Sequence, residues 1–291
     1  MNHPSSAVWQ QLFGALVIGL LVACSPLKLL NALTPDSTFS KTSGIAYGSD
    51  PRQKLDVYQP WPLKPGAPVV VFFYGGSWNS GSRSDYEFVG EALASRGMVV
   101  VVADYRLYPQ VRYPSFLQDC ARAVAWAHEH VGDFAGDPRR LYLMGHSSGA
   151  YNAAMLALDP RWLAEVGLSP QMIKGWIGLA GPYDFLPIRN TAVRPVFFYP
   201  DSPEDSQPIN HVSQGAPPAL LMASNDDSLV NPQRNTGGLA GQLRAAGVPV
   251  QEFHFARTGH ATLVAALSRP LRWMAPVLQR VSDFVESPPA Q

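Results

Sequence analysis

Arg140-Leu-Tyr-Leu-Met-Gly-His-Ser-Ser-Gly-Ala-Tyr-Asn-Ala-Ala-Met-Leu-Ala-Leu158 is the stretch that decides how this chain is read. Arg140–Met144 is short and mostly apolar, the pattern of a buried strand. Ala150–Leu158 is rich in alanine, the pattern of a helix. Between them, Gly145-His146-Ser147-Ser148-Gly149 sets a serine between two glycines. A sharp strand-to-helix turn strains the residue at its apex, and glycines on either side give it room. Such a turn lifts the Ser147 hydroxyl over the sheet edge and brings the Ser148 amide beside whatever Ser147 attacks. Ser147 is therefore the candidate nucleophile, and Ser148 a candidate oxyanion donor.

The rest of the chain supplies a sheet for that turn. Pro68–Tyr74 and Met98–Ala103 are continuous apolar runs rich in valine, as expected of strands buried on both faces of a parallel sheet. Lys174–Ala180, Pro218–Ala223 and Val248–Phe255 are further strand candidates, and Gly44–Tyr47 with Leu55–Tyr58 reads as an opening hairpin. Helical patterns lie between them, over 86–96, 115–131 and 232–246, and a last helix is expected over 261–285. Alternating strands and helices predict a mostly parallel sheet with helices on both faces. Residues 182–216 follow neither period and are rich in proline, with Phe197-Phe198-Tyr199 inside. That stretch is expected to be a small cap over the site, or else a surface excursion with an aromatic anchor.

A serine hydroxyl needs a base, and the base needs an orienting group. Of seven histidines, His260 follows Gly259 just after the last strand, where a loop can reach back over the sheet edge. His211 and His254 are weaker rivals, one in the candidate cap and one inside a strand. His128 and His130 suit a helix C-terminus, and His146 is the variable residue of the turn itself. The acid is expected after the preceding strand, where Asp226 and Asp227 compete. Gly75-Gly76-Ser77, after the first long strand, can turn tightly and present N–H groups, so Gly76 and Ser77 join Ser148 as oxyanion donors.

Composition narrows the alternatives. The 291 residues are 46% hydrophobic and 15% charged, enough for one sizeable core. Lys plus Arg equals Asp plus Glu at 22 each, so nothing electrostatic points to nucleic acid. Cys120 lies in a helical pattern and reads as a small buried residue, and no Cys/His cluster has metal-ligand spacing. Leu12–Ala23 is uncharged and almost wholly apolar, short for a membrane span and suited to a signal-peptide core. Met1–Gln11 has no Lys or Arg, so an uncleaved anchor helix from near Val8 is the other reading. Either reading exports the domain and tethers it.

Two resemblances sharpen these expectations. Leu21-Val-Ala-Cys24 resembles the lipobox of bacterial lipoproteins, which implies a signal peptide over 1–23, lipidation of Cys24 and a tether over 24–41. Ser25 then resembles an outer-membrane sorting residue, which implies a domain facing the periplasm. Tyr74-Gly-Gly-Ser-Trp78, Asp104-Tyr-Arg-Leu-Tyr-Pro109, Gly136-Asp-Pro138, the Ser147 turn, Asp227-Ser-Leu-Val230 and Gly259-His260 together resemble an α/β-hydrolase of the lipase/esterase type, near kynurenine formamidase-like and bacterial carboxylesterase-like proteins. The resemblance covers residues 42–286. It favours Asp227, because the pattern Asp-x-x-Val is met with Val230. Two positions depart from it: Tyr74 stands where His is usual, and Ala223-Ser224 replaces a His-Gly opening. The resemblance makes Asp104 and Asp184 structural carboxylates that bond loop backbone.

The implied activity is hydrolysis of small or short-chain esters through Ser147, His260 and Asp227, with no metal or organic cofactor. An arylformamidase-like amidase and a serine peptidase are alternatives, and a non-catalytic binding module on the same scaffold is a third. The oligomeric state is open.

Overall fold

The computed structural model describes residues 26–287, so the proposed signal sequence and Cys24 lie outside the described residues. Eight strands form one sheet in the order β1-β2-β4-β3-β5-β6-β7-β8. β1 (Phe39–Ala46) and β2 (Lys54–Pro60) form the expected antiparallel hairpin, and β2 runs antiparallel to β4 (Val99–Ala103). β3 (Ala67–Phe73), β4, β5 (Gly136–His146), β6 (Ile173–Leu179), β7 (Ala219–Ser224) and β8 (Val250–Phe255) are parallel. The valine-rich strands are buried throughout: Val69–Phe73 and Val99–Ala103 have no accessible surface. A strand covered on both faces has no polar side to alternate with, which is why these runs are continuous.

α1 (Pro26–Ala32) and β1 take up most of the span expected to be a tether. α2 (Glu87–Ala94) and α8 (Val277–Glu286) pack together on one face. α3 (Ser115–His130), α4 (Ser148–Leu158) and α5 (Pro160–Ala164) pack together on the other. α6 (Gly238–Ala245) lies against β8 and is preceded by a wider π-helical turn at Gln233–Gly237, where one regular helix was expected.

The last helix is also broken. α7 (His260–Ala265) ends early, a 3₁₀ turn follows at Arg269–Leu271, and α8 starts only at Val277. Pro270 and Pro276 lack the N–H a continuous helix needs. Among the described residues, no helix is long and apolar enough to cross a membrane.

The strand order reverses at β3. The chain leaves it for β4 on one side and later returns to β5 on the other. In open parallel sheets the crevice at such a reversal, above the carboxyl ends of the strands, is where ligands bind. The loops after β3, β5, β6, β7 and β8 all open at that edge.

Candidate active site

Ser147 stands between β5 and α4 with φ 54° and ψ −123°, a conformation L-residues rarely adopt. Its N–H donates to the Leu179 carbonyl at 2.8 Å, which ties the apex to β6. The flanking glycines are needed for space. A Cβ on Gly149 would sit 2.0 Å from the Phe73 carbonyl oxygen, and one on Gly145 would sit 2.1 Å from that of Gly149. Both obstacles are backbone, so neither can swing aside.

Three residues far apart in sequence meet at this turn. His260 Nε2 lies 2.8 Å from Ser147 Oγ, and His260 Nδ1 lies 2.7 Å from Asp227 Oδ2. The other Asp227 oxygen accepts the Leu229 and Val230 N–H groups, both at 2.9 Å. Burial alone would raise the Asp227 carboxyl. The hydrogen bonds from His260 and the Val230 amide outweigh it and hold the group below the usual carboxylate range. A carboxylate there fixes Nδ1 as the protonated nitrogen and leaves Nε2 as an acceptor toward Ser147.

The rivals lie elsewhere. Asp226 is exposed and outside this chain of hydrogen bonds. His211 approaches Asp159 and the Asp205 carbonyl. His254 pairs with Glu252 within β8.

The loop after β3 closes over the nucleophile. A Cβ on Gly75 would lie 2.9 Å from Ser147 Cβ, so this glycine permits the closest approach. Gly76 has φ 137° and Ser77 has φ 52°, and the Gly76 carbonyl accepts from Asn79 and Ser80. Among the described residues, the Gly76 and Ser77 amides have no intramolecular acceptor. The Ser148 amide starts α4, where no earlier turn offers it a carbonyl. Three residues with free amides therefore line the cleft together with Ser147.

Tyr74 shows how the loop is held without the usual His. Its hydroxyl donates to Asp104 Oδ1 at 2.8 Å and accepts from Arg52 Nη2 at 2.7 Å. Arg52 also donates to the Gly81 carbonyl, and the Tyr105 hydroxyl donates to the Tyr74 carbonyl. Asp104 further accepts from the Arg83 backbone and side chain. The expectation that Asp104 braces a loop is met. Asp184 differs: its carboxylate takes a two-pronged ion pair from Arg234, at 2.9 and 2.7 Å, on the cleft rim, and not loop backbone. A half-exposed guanidinium fork next to the carboxylate offers better geometry than the loop amides.

Sequence reading missed three supports. Arg52 lies in the β1–β2 turn, where an arginine gives no signal. Asn235 accepts the Tyr183 and Asp184 N–H groups, at 2.7 and 2.9 Å, and so starts the 182–216 segment. His146 is buried, and its Nε2–H donates to the His260 carbonyl at 2.9 Å. Burial, with the nearby His260 ring, lowers its pKa to about 3, so it is neutral at ordinary pH. Only its place beside Ser147 could have marked it.

The cleft measures about 660 Å³ and passes over Ser147, His146 and His260. One wall is the β3 loop with Asp85, Tyr86 and Leu27; the opposite wall is Pro182–Val193 with Leu229–Asn235. Residues 182–216 thus act both as a wall and as an anchored excursion. Phe197 is buried in an aromatic cluster with Trp78, Tyr113, Phe116, Tyr151 and Phe185. Trp78 lines the cleft and is fixed by its Nε1–H bond to Asn152. Cys120 is fully buried, and desolvation pushes its thiol well up.

A mostly parallel sheet with a strained serine elbow at its reversal defines the α/β-hydrolase fold. A solved truncated carbohydrate esterase from gut microbiota superposes with a TM-score of 0.72 at 17% identity, over 87% of this chain and 97% of that one. The BD-FAE family model matches residues 55–239, and the chain belongs to that family. Esterase LipC of Mycobacterium tuberculosis is 33% identical over 222 residues, 69% of this chain and 54% of that protein. A probable isoprenylcysteine alpha-carbonyl methylesterase of Oryza sativa is 36% identical over 144 residues, 48% of this chain and 35% of that protein. The chain spans from about a third to about half of the length of these curated relatives.

Proposed function

We propose that this protein is a serine carboxylic ester hydrolase, held at a membrane by its N-terminus. The observation that carries the reading is the continuous relay from Ser147 Oγ through His260 to Asp227, in a cleft also lined by three residues with free amides. Ser147 attacks the ester carbonyl while His260 Nε2 takes its proton. The Gly76, Ser77 and Ser148 N–H groups hold the oxyanion that forms. His260 then protonates the departing alcohol, leaving an acyl-serine. Water, deprotonated by His260, releases the acid. Asp227 keeps the imidazole in the working tautomer and offsets its transient charge. These steps call for no metal or organic cofactor.

Trp78 lines the cleft with an aromatic cluster packed behind it, and an acyl group bound on that side would have to be short. A cleft of about 660 Å³ leaves room for a larger alcohol portion. Membrane attachment is supported by the uncharged run Leu12–Ala23 followed by Cys24-Ser25. The fitting location is the periplasmic side of a bacterial outer membrane.

The test is hydrolysis of a p-nitrophenyl acyl series by wild type and Ser147→Ala. The expected result is turnover that falls as the acyl chain lengthens, and a loss of about a thousandfold or more in the variant. Equal activity of the two proteins would remove Ser147 from the chemistry. A folded but inert wild type would send the search to formyl-anilides and aminoacyl-anilides.

A further inference from the structure

We infer that the outer face of α1 rests on a lipid bilayer, so that the cleft draws its ester from that bilayer. The substrate class is a short-acyl ester of a long-chain, membrane-partitioned alcohol. This rests on the anchored-esterase reading above.

The argument starts from the two faces of α1. On the inner side, Leu27 lines the cleft and Leu30 packs against the core. Asn31 fastens the helix to the domain: its amide donates to the Ser84 carbonyl at 2.7 Å, and its carbonyl oxygen accepts the Phe88 N–H at 3.2 Å. Ser84 and Phe88 belong to the segment that continues from the β3 loop, so α1 is seated against the site and not strung out as a free linker.

On the outer side, Leu29 is 45% exposed and Leu33 is 55% exposed. They are four residues apart, at the end of a helical turn, and share a face. Lys28 is the one charged residue of the helix. A short helix with leucines on both faces is suited to a second apolar neighbour on the outside.

The chain itself names that neighbour. The apolar run Leu12–Ala23 ends four residues before Leu27. Four residues span at most about 14 Å even when fully extended. If that run, or a lipid on Cys24, is held in a bilayer, the wall of the cleft cannot stand farther away than this. Leu29 is about 3 Å farther along the helix axis than Leu27, so its exposed face is within about 17 Å of the end of that run. Across the cleft, Leu229 is 71% exposed and also lines the opening. Leu27 on one wall and the exposed Leu229 on the other thus put leucine on both sides of the cleft. An ester with a long alcohol chain can keep its tail in lipid along Leu27 while its short acyl group enters beside Trp78.

The experiment uses the full chain in phosphatidylcholine vesicles, as wild type and as the double variant Leu29→Glu/Leu33→Glu. Neither leucine lines the cleft. Three readouts are taken on the same sample: retention after an alkaline carbonate wash, hydrolysis of soluble p-nitrophenyl acetate, and acetate release from hexadecyl acetate dissolved in the vesicles. The expected result is that both proteins survive the wash and hydrolyse the soluble ester equally, while the variant loses about tenfold or more on hexadecyl acetate. A milder Leu29→Ser/Leu33→Ser pair replaces the glutamates if those lower the soluble rate.

Equal rates on hexadecyl acetate by two anchored proteins would overturn the inference and leave the anchored esterase standing. Loss of the wild type in the wash would overturn the anchoring, and the inference with it. No hydrolysis of the soluble ester would overturn the esterase reading itself. A switch from dimer to monomer in detergent on substitution would make the α1 face a contact between copies, which also overturns it.

Discussion

Asp227→Asn separates the two aspartates that compete in the sequence, and the structure sets the size of the effect. Asp227 Oδ1 accepts two backbone N–H groups, from Leu229 and Val230, while Oδ2 faces His260 Nδ1. An asparagine at this position must turn its carbonyl oxygen toward the two amides, since an NH₂ group there would meet two donors. Its NH₂ then faces His260 and forces Nδ1 to become the acceptor. The ring proton moves to Nε2 and points at Ser147, so the base can no longer take the serine proton. The same wrong-tautomer change in a Ser-His-Asp protease costs about 10⁴-fold in kcat, or about 5.5 kcal/mol of barrier. A similar loss is expected here, with KM little changed and the fold intact, because the amide keeps the loop bonds. Asp226→Asn should stay within about twofold of wild type, since Asp226 is exposed and outside the relay. The assay is kcat and KM on p-nitrophenyl acetate, with near-ultraviolet circular dichroism to check folding. A loss below about tenfold for Asp227→Asn, or an equal loss for Asp226→Asn, would refute the tautomer argument.

Other consequences can be measured on the same protein. Ser147→Gly should be more stable than Ser147→Ala by about 1–2 kcal/mol in urea unfolding, because only glycine relaxes at φ 54° and ψ −123°; both should be inactive, and equal stability would mean the turn is unstrained. Tyr74→Phe removes a hydroxyl bonded to Asp104 and Arg52, and should cost about 2 kcal/mol in the same assay; a loss under about 0.5 kcal/mol would show that water or Arg83 takes over. Stability should also fall on acidification below the ordinary histidine range. His146 stays neutral when folded down to about pH 3, while the unfolded chain binds a proton below about 6.5. Each such proton is worth up to about 1.4 kcal/mol per pH unit. His146→Gln, which can still donate to the His260 carbonyl, should flatten that slope between pH 6.5 and 5; urea midpoints against pH would show it, and an unchanged slope would exclude His146 as its source.

How much was legible in advance follows from the range of each interaction. The Ser147 turn could be read because its strand, elbow and helix are neighbours in sequence. His260 could be read because it follows Gly259 just after the last strand, where a loop reaches back over the sheet edge, and the order of nucleophile, acid and base then pointed to the loop after the preceding strand. Asp227 needed the Asp-x-x-Val resemblance, since two adjacent carboxylates look alike until one is seen to accept the amides of Leu229 and Val230. The last helix was over-extended because apolar periodicity runs on through Ala266–Ala275, while Pro270 and Pro276 interrupt the backbone.

The sequence by itself determined the strands, the elbow and the chemical types at the site, because valine runs, glycines and prolines act on the backbone within a few residues. Tertiary structure alone decided what holds the site in place. Arg52 reaches Tyr74, His146 reaches the His260 carbonyl, Asn235 fixes the start of the Pro182–Val193 wall, and Leu27 enters the cleft. Each of these contacts joins segments brought together only when the sheet closes its order around β3. Arginine, histidine, asparagine and leucine carry no local mark of a partner that distant, so no pattern along the chain could have announced them.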